Sequence, residues 1–566
     1  MSSNNVIVLG IHDGHDAGAA LVKDGKVLAA ISEERLRMKK HFNGVPELAI
    51  KEVFRVANIH PSEVSAIAIS GLNRVYAPKD ELHFKLKVFE FISPYIPKRI
   101  FTKFYVNLLH KFRDIKKIKK VLSKLGIDDK EIFFVEHHTA HAYCAYQSSP
   151  WDDPLVLTCD GMGDGLSSTV NIFNNKGEME RLASSTYYDS VGNAFYSEIT
   201  AYLGMKRWDH EFKTMGLAPY GKPEYCYDKM KKLIRINPSN PLEFQNISGR
   251  CNTRIQGKLR KLLAGQRFDN IAAAAQKYLE ELLTEWVKNA IEATGKNKVA
   301  VAGGVMLNVK ANKKILELPE VDDLFIYPAS DDAGQPVGAA LKVYYDLCWR
   351  DGIKPKKIPI TDVYYGPQYD NEQIEDTIKK AGLITEFYSD IGSIVGEYLT
   401  KGKTIAWFNG RMEFGPRALG CRSILADARD HIIRRKLNKQ VKMRDWFMPF
   451  APSILDERKE DYLVNPRRSP YMTMAFDTTE NWRDIEAAVH PYDRTVRPHT
   501  VDKDWNPEYW KVIKAFEEIT GVGGILNTSF NLHGYPIVCT PEQALWTFQN
   551  SGLDGLAIGN YLILKS

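Results

Sequence analysis

Two histidines four residues apart, His137 and His141, are the residues of this chain best spaced to do chemistry. They lie in Glu136-His137-His138-Thr139-Ala140-His141-Ala142. Side chains at i and i+4 share one face of a helix, so both imidazoles can reach one cation. Carboxylates follow: Asp160 in the glycine-rich turn Cys159-Asp160-Gly161-Met162-Gly163-Asp164-Gly165, and Asp332 in Ser330-Asp331-Asp332-Ala333-Gly334, where Asp331 is an alternative. Two imidazoles with one or two carboxylates suit iron or zinc. The pattern lacks the glutamate of the zinc-protease HExxH motif. Standing alone, the pair reads equally well as a polar patch on a buried helix.

A second group is dense in cations and turn residues. It runs Asn409-Gly-Arg411-Met-Glu413-Phe-Gly415-Pro-Arg417-Ala-Leu-Gly420-Cys-Arg422-Ser423, with Lys442, Arg444, Arg497 and Asn527-Thr528-Ser529-Phe530-Asn531 further on. Guanidinium forks, a lysine and Ser/Asn side chains are what a phosphate plus a small planar amide requires. The competing reading takes Glu413 and Arg417, at i and i+4, as a surface ion pair.

The elements that must position these residues repeat. Val6–His12 reads as a strand, Asp13–Gly18 as an acid-and-glycine turn, and Ala19–Val22 and Val27–Ile31 as the returning strands. Pro154–Cys159, Asp160–Gly165 and Ser167–Phe173 repeat the scheme, with a turn at 174–177. A duplicated hairpin with an acidic turn marks the actin-like ATPase architecture, where glycines admit backbone N–H groups to phosphates. Lys298–Ala302, Gly303-Gly304-Val305 and Met306–Leu316 read as a strand, turn and helix of the same scheme. The helix Ile271–Ala293 reads as core. The Pro/Lys linker 351–359 and the break at Gly366-Pro367 end this domain. Helices 371–381 and 391–400 and a strand at 404–408 open another.

At 566 residues the chain is too long for one ordinary core. Its 44% hydrophobic and 26% charged residues are those of a soluble globular protein, and no apolar run is long enough to span a membrane. Val6–Gly10 lacks a preceding basic region, so a buried first strand is expected and not a signal peptide. Seven scattered cysteines without a CxxC pair point to a reducing cytoplasm. A net charge of +6 does not by itself indicate nucleic acid. One stretch, 85–124, carries twelve Lys and Arg against Glu90 and Asp114. It reads as a helical insertion (about 76–130) with a solvated basic face, or as a docking surface for an anionic acceptor or a membrane.

Across nearly its whole length the chain resembles the NodU/CmcH O-carbamoyltransferases. The resemblance rests on His15-Asp16-Ala17, Glu33-Glu34-Arg35, Lys40-His41, the 136–142 and 160–164 motifs, 211–221, Gly303-Gly304, Asp332-Ala-Gly334, 410–420, Pro449–Ser453 and Asn527–Asn531. It implies an α/β chain: an N-terminal actin-like (ASKHA, duplicated RNase H-like) domain over 1–366 and a C-terminal YrdC-like domain over 367–566. It also implies two steps. Carbamoyl phosphate and ATP, with Mg2+, give carbamoyladenylate in the C-terminal domain, and an acceptor hydroxyl of a small molecule or glycan then takes the carbamoyl group in the N-terminal one.

By the same resemblance, His137, His141, Asp160 and Asp332 hold a catalytic Fe2+. His15 is the base, with Asp13 beside it, and Lys40 and His41 face the acceptor. Arg417, Lys442, Arg444, Arg497, Asn527, Ser529 and Asn531 bind carbamoyl phosphate and ATP. Gly161, Gly163, Gly303, Gly304 and Asn308 face the nucleotide in the actin-like domain. Met448 stands where some relatives carry Arg. No nucleic-acid partner is expected, and an oligomer is compatible with the chain. The competing functions are a tRNA threonylcarbamoylation enzyme and a non-catalytic binder of nucleotide or carbamoyl phosphate. A hydrogenase-maturation enzyme would need CxxC pairs and the opposite domain order.

Overall fold

A computed structural model of the chain describes residues 5–72, 115–250 and 254–565. Most of the basic stretch, 85–114, lies outside the described residues. The described residues fall into two compact units, one of 1–33 and 41–360 and one of 34–40 and 361–566. The border at 360/361 differs from the expected 366/367. The transfer of 34–40 to the second unit has no signal in local periodicity.

In the first unit, runs of Val, Ile, Leu and Ala build two five-stranded sheets. The first contains β1 (Ile7–His12), β2 (Gly18–Lys23), β3 (Lys26–Ser32), β4 (Ala66–Ser70) and β5 (Glu131–Val135) in the order β3-β2-β1-β4-β5. β1 is buried along its whole length, as a strand covered on both faces must be. β2 and β3 run antiparallel to it in a meander, and β4 and β5 continue in parallel.

The second sheet contains β6 (Leu155–Gly163), β7 (Leu166–Phe173) and β8 (Met179–Thr186). After a separate hairpin of β9 (Ile234–Asn237) and β10 (Asn240–Asn246) come β11 (Lys298–Ala302) and β12 (Asp323–Ile326). Its order, β8-β7-β6-β11-β12, and its strand directions repeat the first sheet. Parallel neighbours need long crossovers. Helix α1 (Glu47–Ala57) lies in the first such crossover, and the 27-residue α3 (Phe268–Thr294) lies in the second.

Between them in sequence comes α2 (His137–Ser148), which packs on β6, β7 and β11 and on α4 (Gln335–Arg350). α4 in turn covers β1, β2 and β4. Two local expectations change. The turn expected at 160–165 is shorter, because β6 runs on to Gly163 through a bulge after Cys159. The helix expected over 306–316 is a 3-10 turn followed by Val309–Leu316, because the Asn308 side chain caps a new start by accepting from Ala311 N.

The second unit is built on one mixed sheet. Its strands are β13 (Glu386–Phe387), β14 (Ile405–Phe408), β15 (Arg422–Ala426), β16 (Ala451–Leu455), β17 (His499–Val501), β18 (Gly524–Ser529), β19 (Gly555–Ile558) and β20 (Tyr561–Leu564). Their order is β13-β20-β19-β14-β15-β18-β16-β17. Helices α5 (Ile391–Thr400) and α6 (Pro507–Thr520) pack on each other. The segment 34–40 is held in this unit by Arg35, whose guanidinium donates to Gly415 O at 2.9 Å and whose carbonyl accepts from Gln543 Nε2 at 3.2 Å. No helix among the described residues is long and apolar enough to cross a membrane.

Candidate functional site

His137 is the first residue of α2, and the helix start is fixed by Glu136. Its carboxylate accepts from the backbone N–H of His138 and Thr139 and pairs with Arg181 at 2.6 Å. Asp164 accepts from His137 N at 2.9 Å. These contacts aim the His137 and His141 rings at the end of β6 and at the turn before α4.

There four side chains meet. His137 Nε2 lies 2.9 Å from Asp160 Oδ2 and 3.3 Å from Asp332 Oδ1, and His141 Nε2 lies 3.5 and 3.7 Å from the same atoms. The four ligand atoms all lie within 4.8 Å of one another. The His141 distances are long for hydrogen bonds. Both His141 nitrogens and Asp332 Oδ1 are buried without a hydrogen-bond partner, a costly state unless something else satisfies them. Bonds of about 2.0–2.1 Å to a tetrahedral ion separate its ligand atoms by about 3.3 Å, the middle of the observed range. The set therefore fits a divalent ion with nitrogen and oxygen ligands.

The supporting groups favour the same arrangement. Asp160 Oδ1 accepts from Gly161 N at 2.6 Å and Gly304 N at 3.3 Å, leaving Oδ2 for the cluster. Burial alone would lower the His137 imidazole, but the Asp332 and Asp160 carboxylates hold it up at about 10. Burial opposes charge on Asp160 too, and His137 and His141 hold that carboxyl well below its usual range. His138 points elsewhere, to Thr158 Oγ1 at 2.8 Å, and burial pushes it down to about 3, so it is neutral. Cys159 is no ligand: burial and then Asp160 push its thiol well up. Asp331 caps the turn by accepting from Ala333 N, and Asp332 is the carboxylate in the cluster.

Gly163 shows how tightly the ring is seated. A Cβ there would fall 2.0 Å from the His137 ring. Gly163→Ala is therefore expected to displace His137 and empty the cluster, read as metal per chain by elemental analysis, with α-helical circular dichroism unchanged. Gly303 answers a backbone need: its φ is +105°, and a Cβ would meet Cys159 O at 2.2 Å. Asn308, by contrast, commits its amide to Gln276 and to the helix cap.

The turn after β1 carries the other candidates of this unit. Asp13 is fully buried, whereas His15 is 39% exposed. Burial would lower the His15 imidazole, but its hydrogen bond to Asp16 at 2.9 Å and the Asp16 charge raise it. His41 sits in the same unit, and Lys40 belongs to the other.

In the second unit Lys442 is buried. Its ammonium donates to Ser529 O, to Ser529 Oγ at 3.1 Å and to Asn531 O and Oδ1 at 3.2 and 2.8 Å. Arg444 donates to Asn438 Oδ1 at 2.6 Å and Pro449 O at 3.0 Å and stacks over Phe450. Arg497 has a buried Nε without a partner. Burial lowers all three cations. The next causes are Arg444 and Lys40 at Lys442, and Arg417 and Arg444 at Arg497. Neighbouring cations thus act on both Lys442 and Arg497. Lys40 is one of the charges that act on Lys442.

Other members of the dense run build the frame. Glu413 is buried, and its Oε1 accepts from Leu419, Cys421 and Arg422 N at 2.7, 3.3 and 3.2 Å, so it is no surface partner of Arg417. Fully buried Arg422 donates to Asn409, Gly410, Cys421 and Pro367 carbonyls. Asn527 donates to Ala418 O at 3.1 Å and Ser453 Oγ at 2.9 Å, tying β18 to the Arg417 loop. Glu413→Ala is expected to destabilise the second unit by on the order of 3 kcal/mol, seen as a lower urea midpoint.

Family models for the carbamoyltransferase N-terminus and C-terminus match residues 7–341 and 396–565. The chain belongs to the carbamoyltransferase family. Relatives match it over most of its length. Nodulation protein NolNO of Sinorhizobium fredii is 33% identical, covering 97% of this chain and 79% of its own. An uncharacterized Methanocaldococcus jannaschii protein, MJ1051, is 32% identical, covering 99% and 100%. The solved structure of T. kodakarensis HypF aligns with 63% of this chain and 49% of its own, at 15% identity and a TM-score of 0.34. The chain is thus a transferase enzyme of the carbamoyltransferase class.

Proposed function

We propose that this carbamoyltransferase makes carbamoyladenylate and passes its carbamoyl group to an acceptor hydroxyl. The cation cluster of the second unit carries the reading: burial and then neighbouring cations lower buried Lys442 and half-buried Arg497, Arg417 and Arg444 being among those neighbours, and an anion would offset their repulsion. Carbamoyl phosphate and ATP, with Mg2+, supply that anion. Water releases phosphate from carbamoyl phosphate, and the carbamate oxygen attacks the α-phosphorus of ATP, expelling pyrophosphate. The cations bind the phosphates and balance their charge as the bonds change. Ser529 and Asn531, held by Lys442, and the Asn527-linked loop shape the pocket for the small amide.

The first unit is proposed to be actin-like, supported by its two sheets of identical order and directions, and the second to be YrdC-like. His137, His141, Asp160 and Asp332 would hold Fe2+, which supplies Lewis-acid stabilisation of the departing phosphate. His15 Nε2 accepts the acceptor's proton as the new C–O bond forms and AMP leaves with the electron pair of the old one. The six described cysteines are all free, which suits a reducing cytoplasm.

His15→Ala separates the half-reactions. Transfer to a panel of hydroxylated acceptors, read by mass spectrometry as the gain of one carbamoyl group, should fall by about 10²–10⁴-fold. Carbamoyl-phosphate-dependent pyrophosphate release should persist. Equal loss of both would contradict the role given to His15.

A further inference from the structure

A string of polar groups starts at His15. The two oxygens of Asp16 serve two different imidazoles: Oδ2 lies 2.9 Å from His15 Nδ1 and Oδ1 lies 2.8 Å from His41 Nδ1. His41 uses its other nitrogen as well, with Nε2 3.0 Å from Asp209 Oδ1. Lys206 Nζ holds Asp209 Oδ2 at 2.8 Å, and His210 Nε2 lies 3.9 Å from it. The His15 and His41 rings stack, with centroids 5.0 Å apart and planes 18° apart. Three segments far apart in sequence supply these groups.

The string is held under strain and ends in the open. Asp16 and His41 have φ of +56° and +51°, a left-handed conformation that residues other than glycine keep only where surrounding contacts impose it. Side-chain exposure is 39% at His15 but 27%, 14% and 15% at His41, Asp16 and Asp209. Of these four side chains His15 is the most exposed.

The hydrogen bond made by one imidazole nitrogen decides which nitrogen keeps the lone pair. Asp16 accepts only when ionised, so a neutral His15 bonded to it carries its proton on Nδ1. His41 lies between two carboxylates and donates from both nitrogens. Burial would lower its pKa, but Asp16 and Asp209 hold it up at about 10. The Asp332 charge also reaches His15 and raises it, and His41 lowers it.

We propose that Asp16, braced by His41 and Asp209, is the positioning residue of His15, fixing its ring through Nδ1–H so that Nε2 is the atom that takes the acceptor's proton. This rests on the carbamoyl-transfer reading. It adds a carboxylate and a second histidine that lie outside the His137 cluster.

The test uses the full chain with ring-15N histidine. Long-range 1H–15N spectra at neutral pH are assigned with His15→Gln and His41→Gln. The expected result is His15 protonated at Nδ1 with a bare Nε2, and His41 protonated at both nitrogens. In Asp16→Asn at least half of His15 should shift to the Nε2–H form. Should that variant not fold, Asp209→Asn serves: His41 loses its Nε2 proton in part of the population while the His15 form is kept.

The kinetic counterpart uses glycerol as probe acceptor. Asp16→Asn should lower kcat for transfer by about 10³–10⁴-fold, as expected for a base in the wrong tautomer, with KM and pyrophosphate release unchanged. An Nε2–H form of His15 in the unsubstituted chain, or an unchanged Nδ1–H form in Asp16→Asn, overturns the proposal. So does a second equivalent of bound metal that Asp16→Asn removes. The spectra need no substrate, so they stand apart from the reaction itself. A chain that releases no pyrophosphate in the presence of carbamoyl phosphate refutes the reaction and leaves the ring assignment to be judged on its own.

Discussion

Replacing both His137 and His141 by Ala is expected to leave the chain folded, able to consume ATP with carbamoyl phosphate, and unable to transfer the carbamoyl group. The two rings supply half of a four-ligand set, and without them Asp160 and Asp332 offer only two carboxylates. Bound metal, measured per chain, should fall from about one to near zero, since this set offers only one face. Lewis-acid help is worth several kcal/mol, and about 1.4 kcal/mol is tenfold in rate. Transfer should therefore fall by on the order of a thousandfold or more. Pyrophosphate release, proposed for the other unit, should change by less than about threefold, a bound set by the size of ordinary remote effects. Metal retained at full stoichiometry would refute the ligand assignment.

Arg497→Met should produce two opposite effects. Its buried Nε has no partner, and Arg417 and Arg444 repel its charge. Methionine keeps much of the volume and removes the charge. The second unit should gain on the order of 1 kcal/mol, as functional sites commonly sacrifice stability. Pyrophosphate release should fall by about 10²–10³-fold, the usual consequence of removing one group that stabilises developing charge. Denaturant titration and a pyrophosphate assay on the same preparation read both. Lower stability with unchanged activity would make Arg497 a frame residue like Arg422.

The contrast between Arg497 and Arg422 shows where sequence reading stops. Arg422 follows Gly420 and Arg497 precedes Pro498, and local composition marks neither as structural. Only burial with four carbonyl acceptors makes Arg422 structural. The His137–His141 pair was legible because one helical turn fixes it, and the repeated strands were legible because continuous apolar runs do. Asp332 lies far along the chain, and only motif resemblance linked it to the pair.

The Asp16–His41–Asp209 string has no period at all. It is made by loops in left-handed conformation, where side-chain direction follows tertiary contacts. Lys40 and His41 make the same point. They are neighbours in sequence, yet Lys40 belongs to the unit of Lys442 and His41 to the unit of Asp16. Glu413 looked like half of an i,i+4 pair because that spacing presumes a helix, but it stands in a loop whose backbone N–H groups it gathers.

The most direct test of the account is pyrophosphate release from ATP by the purified chain loaded with Fe2+ and Mg2+, with and without carbamoyl phosphate. Release that requires carbamoyl phosphate is expected, at one pyrophosphate per ATP consumed, together with its loss in Arg497→Met. Release that ignores carbamoyl phosphate, or no release at all, would contradict it.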